Sequence, residues 1–219
     1  GAMLGKSMMR PPVHCFFCAY MYKKGGIIVQ NKRLLMLVEI AIFATLAYVL
    51  DLFAIIKMPQ GGSATFGMIP IFVVAIRWGL KAGIVSGAIF GFLQLIYGGY
   101  VVTVVQGIFE YIIAFAVLGF AGIFSKQILE GIKNANKFAI LTNIVVAIFI
   151  ACTLRFFAHV VAGVVWIDLF MPEGLPAGQS VWLYSLGYNL TYMLPSFIIA
   201  AIVCGILFTS RPKLILQNT

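Results

Sequence analysis

Six apolar runs, separated by short polar or glycine-rich connections, organise the chain at about 34–56, 64–76, 82–97, 101–124, 138–167 and 181–208. A helix needs roughly 20 apolar residues to cross the hydrocarbon core of a bilayer. Four runs meet that length, while the second and third are shorter and draw on their glycine-rich flanks. The pattern predicts an all-α integral membrane protein with six transmembrane helices. Its expected organisation is an N-terminal portion, 1–33, and a six-helix transmembrane substrate-binding domain, 34–210. The pattern shows no soluble domain, long linker or internal repeat.

Composition agrees with this reading. Of 219 residues, 63% are hydrophobic and only 10% charged, against about a quarter charged in soluble domains. The mean hydropathy is +1.07. A net charge of +9 would suggest nucleic acid in a soluble protein, but here the basic residues sit in the connections between apolar runs. Lys23, Lys24, Lys32 and Arg33 precede the first run, Arg77 and Lys81 join the second to the third, and Lys126, Lys133 and Lys137 join the fourth to the fifth. Arg211 and Lys213 follow the sixth. With six spans, all of these fall on one side. Positive residues favour the cytoplasm, so both termini are expected there. The outer connections carry Lys57, Asp168 and Glu173.

Polar groups inside the spans narrow the function, because such groups are costly in a bilayer and usually face a cavity or a partner. On the fourth run Thr103, Gln106 and Glu110 share a face by i+3 and i+4 spacing, with Glu110 roughly 14 Å below Val101 at 1.5 Å per residue. On the fifth, Arg155, His159 and Gly163 share a face and Trp166 follows three residues on. On the sixth, Asn189 lies at similar depth, and Tyr184, Tyr188 and Tyr192 form an i, i+4, i+8 stripe. Tyr184 and Asn189 reach one cavity only if it is wide or the helix bends, as Pro195 allows. A carboxylate with aromatic faces suits a flat organic cation. Three roles stay open for Arg155: neutralising Glu110, contacting an anionic group, or snorkelling toward the headgroups. Glu39 and Asp51, near the ends of the first run, read as solvated or headgroup-level. In the first outer connection, Pro59, Gly61 and Gly62 break both flanking helices and let backbone amides face a ligand. Gly98-Gly99 reads as an ordinary tight turn, and Trp182 as part of an interfacial aromatic belt.

Other signals are weak or absent. Cys152 and Cys204 read as small core residues. Cys15 and Cys18 form a CxxC beside His14 with no second ligand pair, so neither a metal nor a cofactor is expected. Gly1-Ala2-Met3 resembles a cleaved-tag remnant, and 4–30 reads as a cytoplasmic or interfacial extension. The chain contains no HExxH, GxSxG or complete phosphate loop. It is therefore not expected to be an enzyme, and transport would draw on an ion gradient or a partner. Ala41 and Thr45 form a small-xxx-small pair that suits either another protein's helix or internal packing.

Five segments together resemble the thiamine-specific substrate-binding (S) components of energy-coupling factor (ECF) vitamin transporters. They are LVEIAIFATLAYVL (37–50), GMIPIFVVAIRWGLKAG (67–83), QGIFEYIIAF (106–115), RFFAHVVAGVVW (155–166) and YSLGYN (184–189). The resemblance implies high-affinity binding of thiamine from outside, with energy supplied by a shared T component and two ATPase subunits in a prokaryotic cell membrane. It also implies binding residues: Glu110 and Tyr111 from FEY, His159 and Gly163 from the fifth-helix motif, and Tyr184 and Asn189 from YSLGYN. Tyr100 matches an aromatic ahead of the fourth helix, and Arg155 a basic position near the site. The patch at Ala41 and Thr45 corresponds to the T-component interface, with threonine at its second position. Two features depart from the family pattern: GGSATF (61–66) replaces a loop that can carry tryptophan and glutamate, and Trp166 stands one residue early. The alternatives are an S component for another vitamin such as riboflavin, or an ion-coupled secondary transporter of a small organic cation.

Overall fold

The computed structural model describes residues 32–175, 178–212 and 215. The expectations for the N-terminal extension, the CxxC and its histidine, Lys23, Lys24 and Lys213 lie outside the described residues. The chain divides into Gly1–Leu35 and Met36–Thr219, and the fold that follows is that of the second unit. The structure is mostly helical. In chain order its main elements are α1 (Lys32–Asp51), strands β1 (Ile56–Lys57) and β2 (Ser63–Ala64), then α2 (Met68–Trp78) and α3 (Leu80–Tyr97). They continue with α4 (Val104–Lys133), α5 (Lys137–Val165) and α6 (Val181–Ser210). A four-residue helical turn, Ile167–Phe170, follows α5.

Five of these helices, α1, α3, α4, α5 and α6, are long and apolar enough to cross a membrane. α2 has 11 residues, roughly 16 Å at 1.5 Å per residue, which is short of a crossing. The predicted start of the second span at Ala64 is corrected here. Ser63 and Ala64 pair with Ile56 and Lys57 as a small antiparallel hairpin, so those residues leave the helix. The hairpin also ends the first helix at Asp51 rather than Ile56. Glycine makes this possible: Gly61 closes the hairpin at φ +90°, a conformation that L side chains rarely adopt.

The α3–α4 pair is built on missing side chains. Gly83, Gly87 and Gly91 stand four apart on one face of α3. A Cβ at Gly87 would overlap the Phe115 carbonyl, one at Gly91 the Tyr111 carbonyl, and one at Gly83 the Gly119 backbone. This is the small-residue stripe through which membrane helices bring their backbones together. α4 yields at the contact, passing through a π-helical stretch, Ile108–Ile113, and then a 3₁₀ stretch, Val117–Phe124. The main core lies beside this pair, with Ile71, Phe72, Phe90, Leu118, Ile144, Ile148 and Phe208 fully buried. Phe90 meets Phe115 edge-on at 4.4 Å. Cys152 and Cys204 are buried free cysteines.

α1 packs differently. Of its twenty residues only Ile40, Ala44 and Ala47 are buried. Ala41 and Thr45 lie on the exposed face, and Thr45 Oγ1 donates to the Ala41 carbonyl at 2.9 Å. Polar contacts hold the helix near both ends. Glu39, expected to be solvated, pairs with Arg77 at 2.8 Å and accepts from Trp78 Nε1 at 2.6 Å. Asp51 closes the other end, at the cavity described next.

Candidate functional site

The end of the bundle that carries the hairpin encloses a cavity of about 340 Å³. Its lining includes Glu110, Tyr111, Arg155, His159, Gly163, Tyr184 and Asn189 from the sequence analysis.

Glu110 and Tyr111 are consecutive residues, yet both line the cavity. They sit in the π-helical stretch, where more residues per turn mean a smaller angle between neighbours, and such stretches recur at functional sites. Helical structure begins at Val104 rather than Val101, so Glu110 is less deep than the predicted helix implied. The face shared by Thr103, Gln106 and Glu110 is realised as a chain of hydrogen bonds. Thr103 caps the helix by accepting the Gln106 N–H at 3.2 Å. Gln106 is fully buried; its amide oxygen accepts from Val102 N–H at 3.0 Å, and its Nε2 donates to the Tyr100 carbonyl at 3.1 Å and to the Glu110 carboxylate.

On α5, His159 Nδ1 lies 4.0 Å from Glu110, and its Nε2 accepts from Arg155 Nε at 3.3 Å. An imidazole accepting at Nε2 carries its proton on Nδ1, toward the carboxylate. Arg155 is buried, with its guanidinium 4.0 Å over the Phe115 ring. It is thus turned toward His159 and Phe115 rather than outward to the headgroups. Gly163 lets α5 and α6 approach, since a Cβ there would overlap Ser185 Oγ.

On α6, Tyr184 and Tyr188 stack at 6.3 Å, and Tyr188 meets Tyr192 edge-on at 6.0 Å. Tyr184 and Asn189 do line one cavity despite their angular separation. Asn189 Oδ1 accepts from the Tyr192 hydroxyl, and its Nδ2 donates to the Ser185 carbonyl at 2.9 Å. The hairpin loop is clasped to this helix. The Gln60 and Gly62 N–H groups donate to the Tyr188 hydroxyl at 3.2 and 3.3 Å. These two amides are therefore spent on protein, which corrects the expectation that the loop presents them to a ligand.

Tyr100 and Trp166 are absent from the lining. Tyr100 acts through its backbone, donating its N–H to the Tyr111 hydroxyl at 2.6 Å, while its ring packs 6.0 Å from Phe170. Trp166 packs 6.0 Å from Phe109, and its successor Ile167 lines the cavity instead. The Gly98-Gly99 turn is more than a solvated connection, because Gly98 lines the cavity and a Cβ at Gly99 would meet the Tyr111 ring at 2.9 Å. Asp51, expected at headgroup level, also lines the cavity, accepting from Thr65 Oγ1 at 2.5 Å and from Gln94 Nε2. Its partners lie 14 and 43 residues away, which no local spacing signals.

A family profile described as "Thiamine transporter protein" matches residues 37–216. The chain is 42% identical over 189 residues to the thiamine transporter ThiT of Bacillus subtilis (strain 168), covering 85% of this chain and 96% of that protein. It is 34% identical over 192 residues to the thiamine transporter ThiT of Lacticaseibacillus paracasei, covering 84% and 92% respectively. Among solved structures, ThiT from Listeria monocytogenes superposes with a TM-score of 0.78 at 33% identity, covering 85% of this chain and all of that one. Similarity of that extent, in sequence and in fold, places the chain in the ThiT thiamine transporter family.

Proposed function

We propose that this protein binds thiamine from outside a bacterial cell and serves as the S component of an ECF-type transporter. The observation that carries the reading is Glu110, a carboxylate 15% exposed, held by Gln106 and His159 beside a wall of stacked tyrosines. Thiamine is a flat cation with an aminopyrimidine. Charge, cation–π contact and stacking favour it together in such a cavity. A volume of about 340 Å³ falls within the range for small-molecule pockets, roughly 300–1,000 Å³. The binding set is Glu110, Tyr111, His159, Gly163, Tyr184 and Asn189. Arg155 at the cavity wall and Tyr100 behind it act as positioning residues, and Trp166 supports Phe109.

The protein crosses the plasma membrane six times, with α2 and its flanks as the short sixth crossing and both termini in the cytoplasm. It performs no chemistry. Energy comes from two ATPase subunits through a T component that meets Ala41 and Thr45 on the exposed face of α1. The test is a titration with thiamine that follows tryptophan fluorescence, with Glu110→Gln beside the wild type. The variant is expected to lose roughly tenfold or more in affinity, as for a charge-assisted contact. A neutral-ring analogue that lost as much would sink the electrostatic role of Glu110. A folded wild type that ignored thiamine would sink the ligand assignment.

A further inference from the structure

The cavity has a second carboxylate that the functional reading above leaves without a task. Asp51 ends α1, and each of its oxygens is held by a neutral donor: Oδ1 by the Thr65 hydroxyl and Oδ2 by the Gln94 amide. Thr65 is fixed in turn, because its Oγ1 accepts the Gly67 N–H at 3.1 Å. Thr65 and Gln94 are buried and Asp51 is half-buried. The arrangement parallels that at Glu110, where a buried glutamine amide also orients the acid.

Neutral donors orient a carboxylate without cancelling its charge, and each oxygen keeps acceptor capacity beyond one bond. A partly buried charge that is not directly paired is costly. Two cationic side chains line the same cavity. Arg155 lies within electrostatic reach of Asp51 but is turned onto Phe115 and His159 and makes no ion pair with it, and Lys57 stands exposed on the hairpin. The acid therefore keeps acceptor capacity for a positive group that enters the cavity.

We propose that Asp51 is a second anionic contact for the ligand, sharing the charge of a flat organic cation with Glu110 and setting the preference for cations over neutral look-alikes. This rests on the cavity being the thiamine site. The experiment is titration of wild type, Asp51→Asn, Asp51→Glu and the Asp51→Asn/Glu110→Gln double variant. The probes are thiamine and an analogue whose thiazolium is replaced by a neutral ring. Removing one charge-assisted contact costs roughly tenfold or more. Asp51→Asn is therefore expected to lose that much for thiamine and to change the neutral analogue less than about threefold. Asp51→Glu retains the preference, and the double variant loses it. If Asp51→Asn does not fold, Thr65→Val with Gln94→Met keeps the charge but releases its orientation, and the cation preference should fall by about threefold. Equal losses for both probes, or none, would overturn the assignment of Asp51 while leaving the thiamine site standing. A folded wild type that bound neither probe would overturn both.

Discussion

Gln106 shows how much a single buried side chain organises at this site. It joins the Val102 amide, the Tyr100 carbonyl and the Glu110 carboxylate, so it fixes both the entry to α4 and the acid. Gln106→Leu strands those backbone groups and is expected to cost about 1–3 kcal/mol of stability, the penalty for buried groups left without partners. It should also weaken thiamine binding, and thermal unfolding with and without ligand separates the two effects. This residue was legible in the sequence, because four-residue spacing put it on the face of Glu110. Asp51 was not. An acid at the end of an apolar run reads as headgroup-level, and only tertiary structure reveals that Thr65 and Gln94 turn it inward.

At the scale of elements, α4 depends on α3. The glycines at 83, 87 and 91 allow contact at backbone distance, and the π-helical turn at that contact presents Glu110 and Tyr111 together. Gly91→Ala places a methyl group against the Tyr111 carbonyl. The expected result is a lower unfolding temperature, from an overpacking cost of about 1–3 kcal/mol, together with weaker thiamine binding. Gly187→Ala is the control, since a Cβ there meets nothing within 4 Å, and it should leave both measurements unchanged. The helices themselves could be read from apolar run length. The glycine stripe has a readable four-residue period inside the third apolar run, but run length and hydropathy alone do not reveal the close helix contact that it allows. The π turn has no such signature; it falls where Gly91 of α3 meets the Tyr111 carbonyl. The hairpin was visible only as a glycine-rich break, and its pairing shortened both neighbouring helices.

For the whole molecule, orientation and assembly each carry a prediction. Lys57 is exposed at the hairpin end and Lys133 is exposed at the last residue of α4. An amine reagent that cannot cross membranes should modify Lys57 in intact cells and reach Lys133 only after lysis. The opposite result would reverse the topology. Ala41→Trp on the exposed face of α1 should leave thiamine affinity intact while reducing co-purification with the T component and uptake. Loss of binding in that variant would show that the face serves the cavity instead.

The sparse burial of α1 has a consequence for how the molecule comes apart. Local opening requires less energy where fewer apolar groups are buried. α1 buries three residues and is held by polar contacts near its ends, so it should be the first helix to detach on heating. In detergent, where water reaches a detached helix, its backbone amides should exchange with deuterium through openings cheaper than global unfolding. Tyr48 and Asp51 on this helix line the cavity, so an occupied cavity would slow that exchange while leaving the glycine-locked α3–α4 pair unaffected.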